Sequence, residues 1–169
     1  LQYFTGLTSI GDDAFSGCSG LTGIVIPGAF TRIGARAFSG CSGLTSVSIP
    51  SSVTYIGAFA LSGCTGLTTI TVEADNPVYD SRNNCNAIIK TATNELIIGC
   101  KNTVIPSSVT SIGDNAFYGC SGLTGISIPS CVTDIGSNAF NGCTNLASVT
   151  SLAVTPPVAE IDAFNNINS

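Results

Sequence analysis

The sequence predicts a leucine-rich solenoid, and three observations carry the prediction. The first is a recurring word. Ile10-Gly11…Ala14-Phe15-Ser16-Gly17-Cys18…Leu21…Ile24…Ile26-Pro27 returns as Ile33-Gly34…Ala37-Phe38-Ser39-Gly40-Cys41…Leu44…Val47…Ile49-Pro50. The second is its period: Cys18, Cys41 and Cys64 are 23 residues apart, as are Cys120 and Cys143. A fixed repeat of about 20–29 residues belongs to a solenoid whose coils stack on one another. The third is composition, 44% hydrophobic and 9% charged. Such a chain buries ample apolar surface, yet it has no uninterrupted run of ~18 apolar residues for a membrane span. Residues 1–169 form one domain, with regular coils at 7–72 and 103–150, an irregular coil at 73–102 and a C-terminal cap at 151–169.

Each coil begins with a strand. In Leu21-Thr22-Gly23-Ile24-Val25-Ile26-Pro27, Ile24 and Ile26 share the inward face and Val25 points out. Pro27 ends the ladder because it has no N–H to donate, and Pro50, Pro106 and Pro129 stand at the same phase. The apolar pair Phe30/Ile33 recurs as Val53/Ile56, Val109/Ile112 and Val132/Ile135, predicting a second short extended segment on the opposite wall. Ala14-Phe15-Ser16-Gly17 and its copies predict a single turn of helix or 3₁₀, with Asp12, Asp114 and Ser137 as caps. Gly17, Gly40, Gly63, Gly119 and Gly142 follow it, where positive φ is expected. A further column of Gly20, Gly43, Gly66 and Gly122 ends in Asn145, an exchange that suggests left-handed backbone there too. Together these elements predict a right-handed, horseshoe-like α/β leucine-rich-repeat solenoid. A parallel sheet lines one side; short strands and short helical or 3₁₀ turns line the other.

Two stripes hold the stack: Phe15, Phe38, Leu61, Phe117 and Phe140, and Leu21, Leu44, Leu67, Leu123 and Leu146. Five of the eight cysteines form another column, Cys18, Cys41, Cys64, Cys120 and Cys143, which reads as a ladder of packed thiols rather than a zinc or redox centre. Cys131 replaces the Ser52 and Ser108 of other coils as a free, partly exposed thiol. Cys85 and Cys100 bracket two apolar runs and a polar turn, a β-hairpin across whose base they are placed for a possible disulfide. The hairpin accounts for the break in period, because Ile56 to Ile112 is 56 residues rather than two repeats. An insertion of this kind serves binding on one face or simply bulges outward. After Val149 the pattern becomes polar, with Ser151 at an inward phase, which is the mark of a cap. The chain contains no Met and opens in mid-repeat at Leu1-Gln2-Tyr3-Phe4, as a piece of a longer protein does.

The words Ile-Pro-Ser-Ser-Val-Thr-x-Ile-Gly, Ala-Phe-x-Gly-Cys and Ser-Gly-Leu-Thr resemble the BspA-like, or treponemal-type, leucine-rich repeats, over nearly the whole stretch from Leu7 to Asn145. Residues Pro77 to Cys100 also look like a unit of that family. The resemblance implies an extracellular or cell-surface protein of bacteria, engaged in adhesion to matrix proteins or other cells. It carries over no catalytic residue and no ligand.

Charge and chemistry narrow the function. With a net charge of −5 and five scattered cations, the chain has no basic stripe for nucleic acid or anionic membranes. Without histidine it has no Ser-His-Asp or Cys-His pair, so an enzyme is not expected. Asp12/Asp13 and Glu73/Asp75 are too few ligands for a calcium site, and no cofactor is implied. The outward positions of the main sheet, Val25, Ser48, Thr71, Ser127 and Thr150, are small. The larger candidates for contact with a protein or cell-surface ligand are Arg32, Arg36, Tyr55, Phe59, Tyr118, and Tyr79 with Arg82 in the insertion. The expected molecule is a monomeric, non-enzymatic binding module; the alternative is a structural spacer.

Overall fold

The computed structural model describes residues 6–167. The opening Leu1-Gln2-Tyr3-Phe4 and the last two residues of the expected cap lie outside the described residues. In chain order the strands are β1 (Ser9–Ile10), β2 (Arg32–Ile33), β3 (Ser46–Ile49), β4 (Tyr55–Ile56), β5 (Thr69–Val72), β6 (Tyr79–Asp80), β7 (Ala87–Lys90), β8 (Glu95–Gly99), β9 (Ser111–Ile112), β10 (Gly125–Ile128), β11 (Asp134–Ile135), β12 (Ser148–Ser151) and β13 (Val158–Ala159).

The two walls follow the two apolar phases of the repeat. The main wall contains the parallel pairs β3–β5 and β10–β12, with Ser46 opposite Thr69 and Gly125 opposite Ser148. In β3 and β10, alternation buries every second residue, so Val47, Ile49, Ile126 and Ile128 face the core. The opposite wall is made of two-residue strands: β1, β2 and β4 form one sheet, and β9, β11 and β13 continue another.

The corners are not helical. Among the described residues the only helical piece is a 3₁₀ turn at Arg82–Asn84, inside the insertion. The expected helix at Ala14–Gly17 and its copies is a run of hydrogen-bonded turns, for a reason that lies in the donors. Asp13, Phe15 and Gly17 give their N–H groups to Ala35, Ala37 and Ser39 of the next coil, while Ala14, Ser16 and Cys18 bond within their own. A helix spends every N–H locally. Here alternate ones tie coil to coil, so the molecule is a β-solenoid of about 7 turns and not an α/β horseshoe.

Two smaller expectations change with the helix. Asp12 and Asp114 do not cap their own turn. Each carboxylate accepts the N–H one repeat onward, from Ala35 and Ser137, both at 2.8 Å. The Gly17 column has the expected positive φ (69–76° at Gly17, Gly40, Gly63, Gly119 and Gly142). The Gly43 column does not. Its reason is close approach, since a Cβ on Gly43 or Gly66 would lie 2.4 Å from a carbonyl oxygen of the preceding coil.

The Phe stripe is a stack of rings. Phe15–Phe38, Phe117–Phe140 and Phe140–Phe164 lie 5.3, 4.9 and 5.1 Å apart and within 8° of parallel. It is interrupted at the insertion, which is neither an outward bulge nor a surface flap. β7 and β8 form an antiparallel hairpin within a six-stranded sheet of order β13-β11-β9-β8-β7-β6. Ala87, Ile88, Ile89 and Leu96 are fully buried. Ile88 joins the N-terminal core cluster, whereas Ala87, Ile89 and Leu96 join the C-terminal one. The insertion is the joint between two half-cores. Asn76 anchors its entry, donating to Pro50 and Val53 and accepting from Val78 and Tyr79.

At the C-terminal end β13 pairs in register with β11. The segment expected as a polar cap exposes Leu152, Val154, Val158 and Ile161.

Candidate functional site

The cysteine ladder is a packing device. Cys41, Cys64 and Cys143 are buried and donate to the carbonyls of Phe15, Phe38 and Phe117, one coil back, at 3.0–3.1 Å. Cys85 and Cys100 are both free and buried. Their thiols bond the Ala87 and Asn86 carbonyls and belong to different half-cores. Burial pushes Cys64 and Cys120 from 9.0 up to about 12 and Cys143 to about 11. Such thiols stay neutral in the fold while the unfolded chain ionises near 9. Their contribution is complete below pH 9 and is lost as pH rises through 11–12. Alkylation at pH 8 is therefore expected to modify two thiols, the exposed Cys18 and Cys131, and eight in denaturant. Protection of the other six should collapse with the fold at high pH. Mass spectrometry checks the counts; six modified in denaturant would mean that a Cys85–Cys100 bridge forms.

The seven candidate contact residues separate into three groups. The first is locked. Arg36 makes a bidentate ion pair with Asp13, which holds the Asp13 carboxyl below its usual range. Arg82 grips Asp80, Asn94 and Ser108. Burial pushes the Asp80 carboxyl up, but the bonds from Arg82 and Thr91 outweigh it and keep it low. The second is buried: Tyr79, expected at the surface, is 5% exposed. Its hydroxyl accepts the Ile56 N–H at 3.2 Å, taking over a bond that a regular coil would have made. Burial pushes its phenol pKa up. The third group is presented to solvent as two pairs. Arg32 of β2, held loosely by Asp12 at 3.6 Å with both side chains exposed, lies over the Tyr55 ring of β4, 4.0 Å from its centroid. Phe59 meets Tyr118 edge to face, with centroids 5.2 Å apart.

The Phe59–Tyr118 pair closes the rim of a pocket of about 330 Å³. The insertion creates it, because the irregular coil carries no corner of its own. The corner at 57–64 therefore faces the corner at 114–120 directly. The two touch at one end, where Gly63 donates to Tyr118 at 3.2 Å, and they part toward Phe59 and Asp114. Ile97, Ile98 and Gly99 of β8 line the pocket, and the Lys90–Glu95 ion pair, 2.8 Å long, stands beside them.

One feature marks this pocket as more than a packing gap. It is not the backbone of Phe59, whose φ of 59° belongs to the repeat: Asp13, Arg36, Asn115 and Asn138 hold the same phase at 52–58°. Asn115 Oδ1 is buried without a hydrogen-bond partner, whereas its counterpart Asn138 uses both amide atoms. Sequence reasoning singled out Phe59 and Tyr118 but not the pocket. The clue was the missing Ala-Phe-x-Gly-Cys word in residues 73–102. Among the described residues no three His, Cys, Asp or Glu side chains come together to hold a metal ion, and no helix is long and apolar enough to cross a membrane.

The model of the BspA type leucine rich repeat region matches in six copies over residues 2–103 and 86–168. No curated protein matches. Among solved structures, a leucine rich cell surface protein of Faecalibacterium prausnitzii A2-165 is similar at 33% identity and TM-score 0.70, over 87% of this chain and 40% of that one. The pneumococcal vaccine antigen PcpA (21%, TM-score 0.62, 85% and 42% covered) and a leucine rich repeat protein of T. pallidum (24%, TM-score 0.54, 92% and 69% covered) share the fold. The chain spans less than half the length of the first two. Matched by the family model over nearly its full length, and built of the stacked coils that model describes, the chain belongs to the BspA-type leucine-rich-repeat family.

Proposed function

We propose that the chain is a non-enzymatic binding and adhesion module of a bacterial extracellular or cell-surface protein, and that it meets a protein partner through its corner side. The observation that carries this reading is the asymmetry of the two surfaces. The outward face of the main wall presents Ser46, Ser48, Thr69, Thr71, Ser127 and Thr150, all exposed and none a strong anchor. The corner side presents Arg32 on Tyr55, and Phe59 on Tyr118 above a pocket. Aromatic and arginine side chains over a cavity are what protein interfaces use as anchors. The description of the Faecalibacterium protein as a cell surface protein supports the location. The absence of histidine supports the non-enzymatic reading.

The small hydroxyl face of the main wall favours the second reading, a spacer that holds other domains away from the surface. A pull-down from cell-surface and extracellular-matrix extracts separates them. The parent chain is expected to retain a protein that Tyr55→Ala and the double variant Phe59→Ala/Tyr118→Ala retain at least tenfold more weakly. Equal retention by all three would remove the corner side from consideration. Retention by a longer chain but not by this one would establish the spacer.

A further inference from the structure

From the hydrogen-bond inventory of the pocket we infer that it is a slot for one extended peptide segment of a partner protein, which docks where the irregular coil lacks its own corner. This rests on the binding-module reading and names the place. A regular corner donates three alternate N–H groups to the next coil: from Asp13, Phe15 and Gly17 in one, from Arg36, Phe38 and Gly40 in the next. The corner at 57–64 makes one such bond, from Gly63 to Tyr118. The N–H groups of Phe59 and Leu61 have no protein acceptor among the described residues. Across the pocket, Gly99 of the hairpin has taken the Ala116 carbonyl, at 2.8 Å, and the Asp114 carbonyl receives nothing from the described residues. Asn115 Oδ1, buried and unpartnered, is on the same wall.

The slot thus offers two donors, two residues apart, on one wall and two acceptors on the other. That is the pattern an extended backbone satisfies, because its carbonyls and N–H groups alternate in direction. Unpaired backbone groups in a partly closed site favour a ligand that pairs them. The hydroxyls of an acetamido sugar can also accept an N–H, but only an extended peptide repeats a carbonyl on one side and an N–H on the other at the two-residue spacing of Phe59 and Leu61, so a peptide fits the inventory better than a glycan. The size of the slot says which peptide. The regular corners bury both an alanine (Ala37, Ala60, Ala116, Ala139, 0–3% exposed) and a Phe or Leu (Phe38, Leu61, Phe117, Phe140, 0–8%), so it is the small volume that selects a segment of small residues. A volume of about 330 Å³ is near the lower limit of ligand pockets and admits only a few such residues.

The test uses the ¹⁵N-labelled chain titrated to about 10 mM with acetyl-Asn-Ala-Ser-Gly-amide. The expected result is a saturable downfield shift of the Phe59 and Leu61 amide protons, with Kd about 1 mM or tighter. Methylation of the peptide nitrogens should weaken binding about tenfold by removing the donors to Asp114 and Asn115. Asn115→Gly, which tolerates the positive φ, should weaken it about three- to tenfold. No shift at Phe59 and Leu61, or equal response to the methylated peptide, would overturn the inference. A stronger response to N-acetylglucosamine would do so too, assigning the pocket to an acetamido glycan. The Tyr55→Ala arm of the pull-down tests the Arg32–Tyr55 pair away from the slot, so failure of the slot and failure of the binding-module reading are distinguishable.

Discussion

Phe140→Ala is expected to remove about 3–5 kcal/mol of stability and to loosen the C-terminal half of the solenoid before the N-terminal half. The ring is fully buried between Phe117 at 4.9 Å and Phe164 at 5.1 Å. Truncation leaves a cavity with two aromatic walls and forfeits two offset contacts. A solenoid has no distant contacts to share that loss, because each coil is held only by its neighbours. Against a total stability of about 5–15 kcal/mol, the fraction lost is large. The core is also divided: Phe140 lies in the cluster that runs from Cys85 to Ala163, and Leu44 in the one from Ile10 to Cys100. Guanidinium unfolding should show an earlier midpoint, and chymotrypsin should cut first at Leu146 and Phe164. An unchanged midpoint would mean that the ring column contributes little.

What the sequence made legible is what repeats. The 23-residue period placed the phenylalanines, leucines and cysteines in columns, and from the second coil onward the structure keeps those columns internal. Each is a contact between identical phases of adjacent coils, which spacing alone specifies. The corners were misread because Ala-Phe-Ser-Gly is locally compatible with a helical turn, whereas its alternate donors are consumed by the next coil. That competition is a property of the stack and is invisible within one coil. The glycine columns show the same limit. Gly17 answers a local demand for positive φ, but Gly43 answers the approach of Ser19 from the preceding coil.

The insertion was least legible, and it holds the candidate site. Ala87-Ile88-Ile89 reads as a strand of a hairpin, but not as one whose two faces enter different half-cores. Tyr79 was expected at the surface, with Arg82, as part of an insertion that serves binding or bulges outward. Its burial follows from the Ile56 N–H, which needs an acceptor that the irregular coil does not otherwise supply. The pocket arises from a word that is missing, and the period break located it without giving its shape.

Gly99→Ala is the sharpest test of that joint. A Cβ at Gly99 would lie 2.1 Å from Phe117 Cε1, 2.4 Å from Cζ and 2.7 Å from Cδ1. The ring is 1% exposed and stacked on Phe140, so although it lines the pocket it can yield only by giving up that stack. Overpacking of this kind costs about 1–3 kcal/mol and sometimes more; the upper end, about 3 kcal/mol, is expected here. The same shift would break the Gly99-to-Ala116 bond that fastens the hairpin to the corner beside the pocket. Gly23→Ala is the control: its Cβ meets nothing within 4 Å, so the change should stay within about 0.5 kcal/mol. Phe117→Leu supplies the second axis. It is destabilising alone, but it shortens the side chain that the added methyl would strike. The double variant should therefore be more stable than the sum of the two singles by about 1–2 kcal/mol. Thermal or urea unfolding of the four proteins closes the cycle. If the two costs simply add, the ring of Phe117 is not what requires glycine at this position, and the close fit of hairpin to corner is not the joint of the two half-cores.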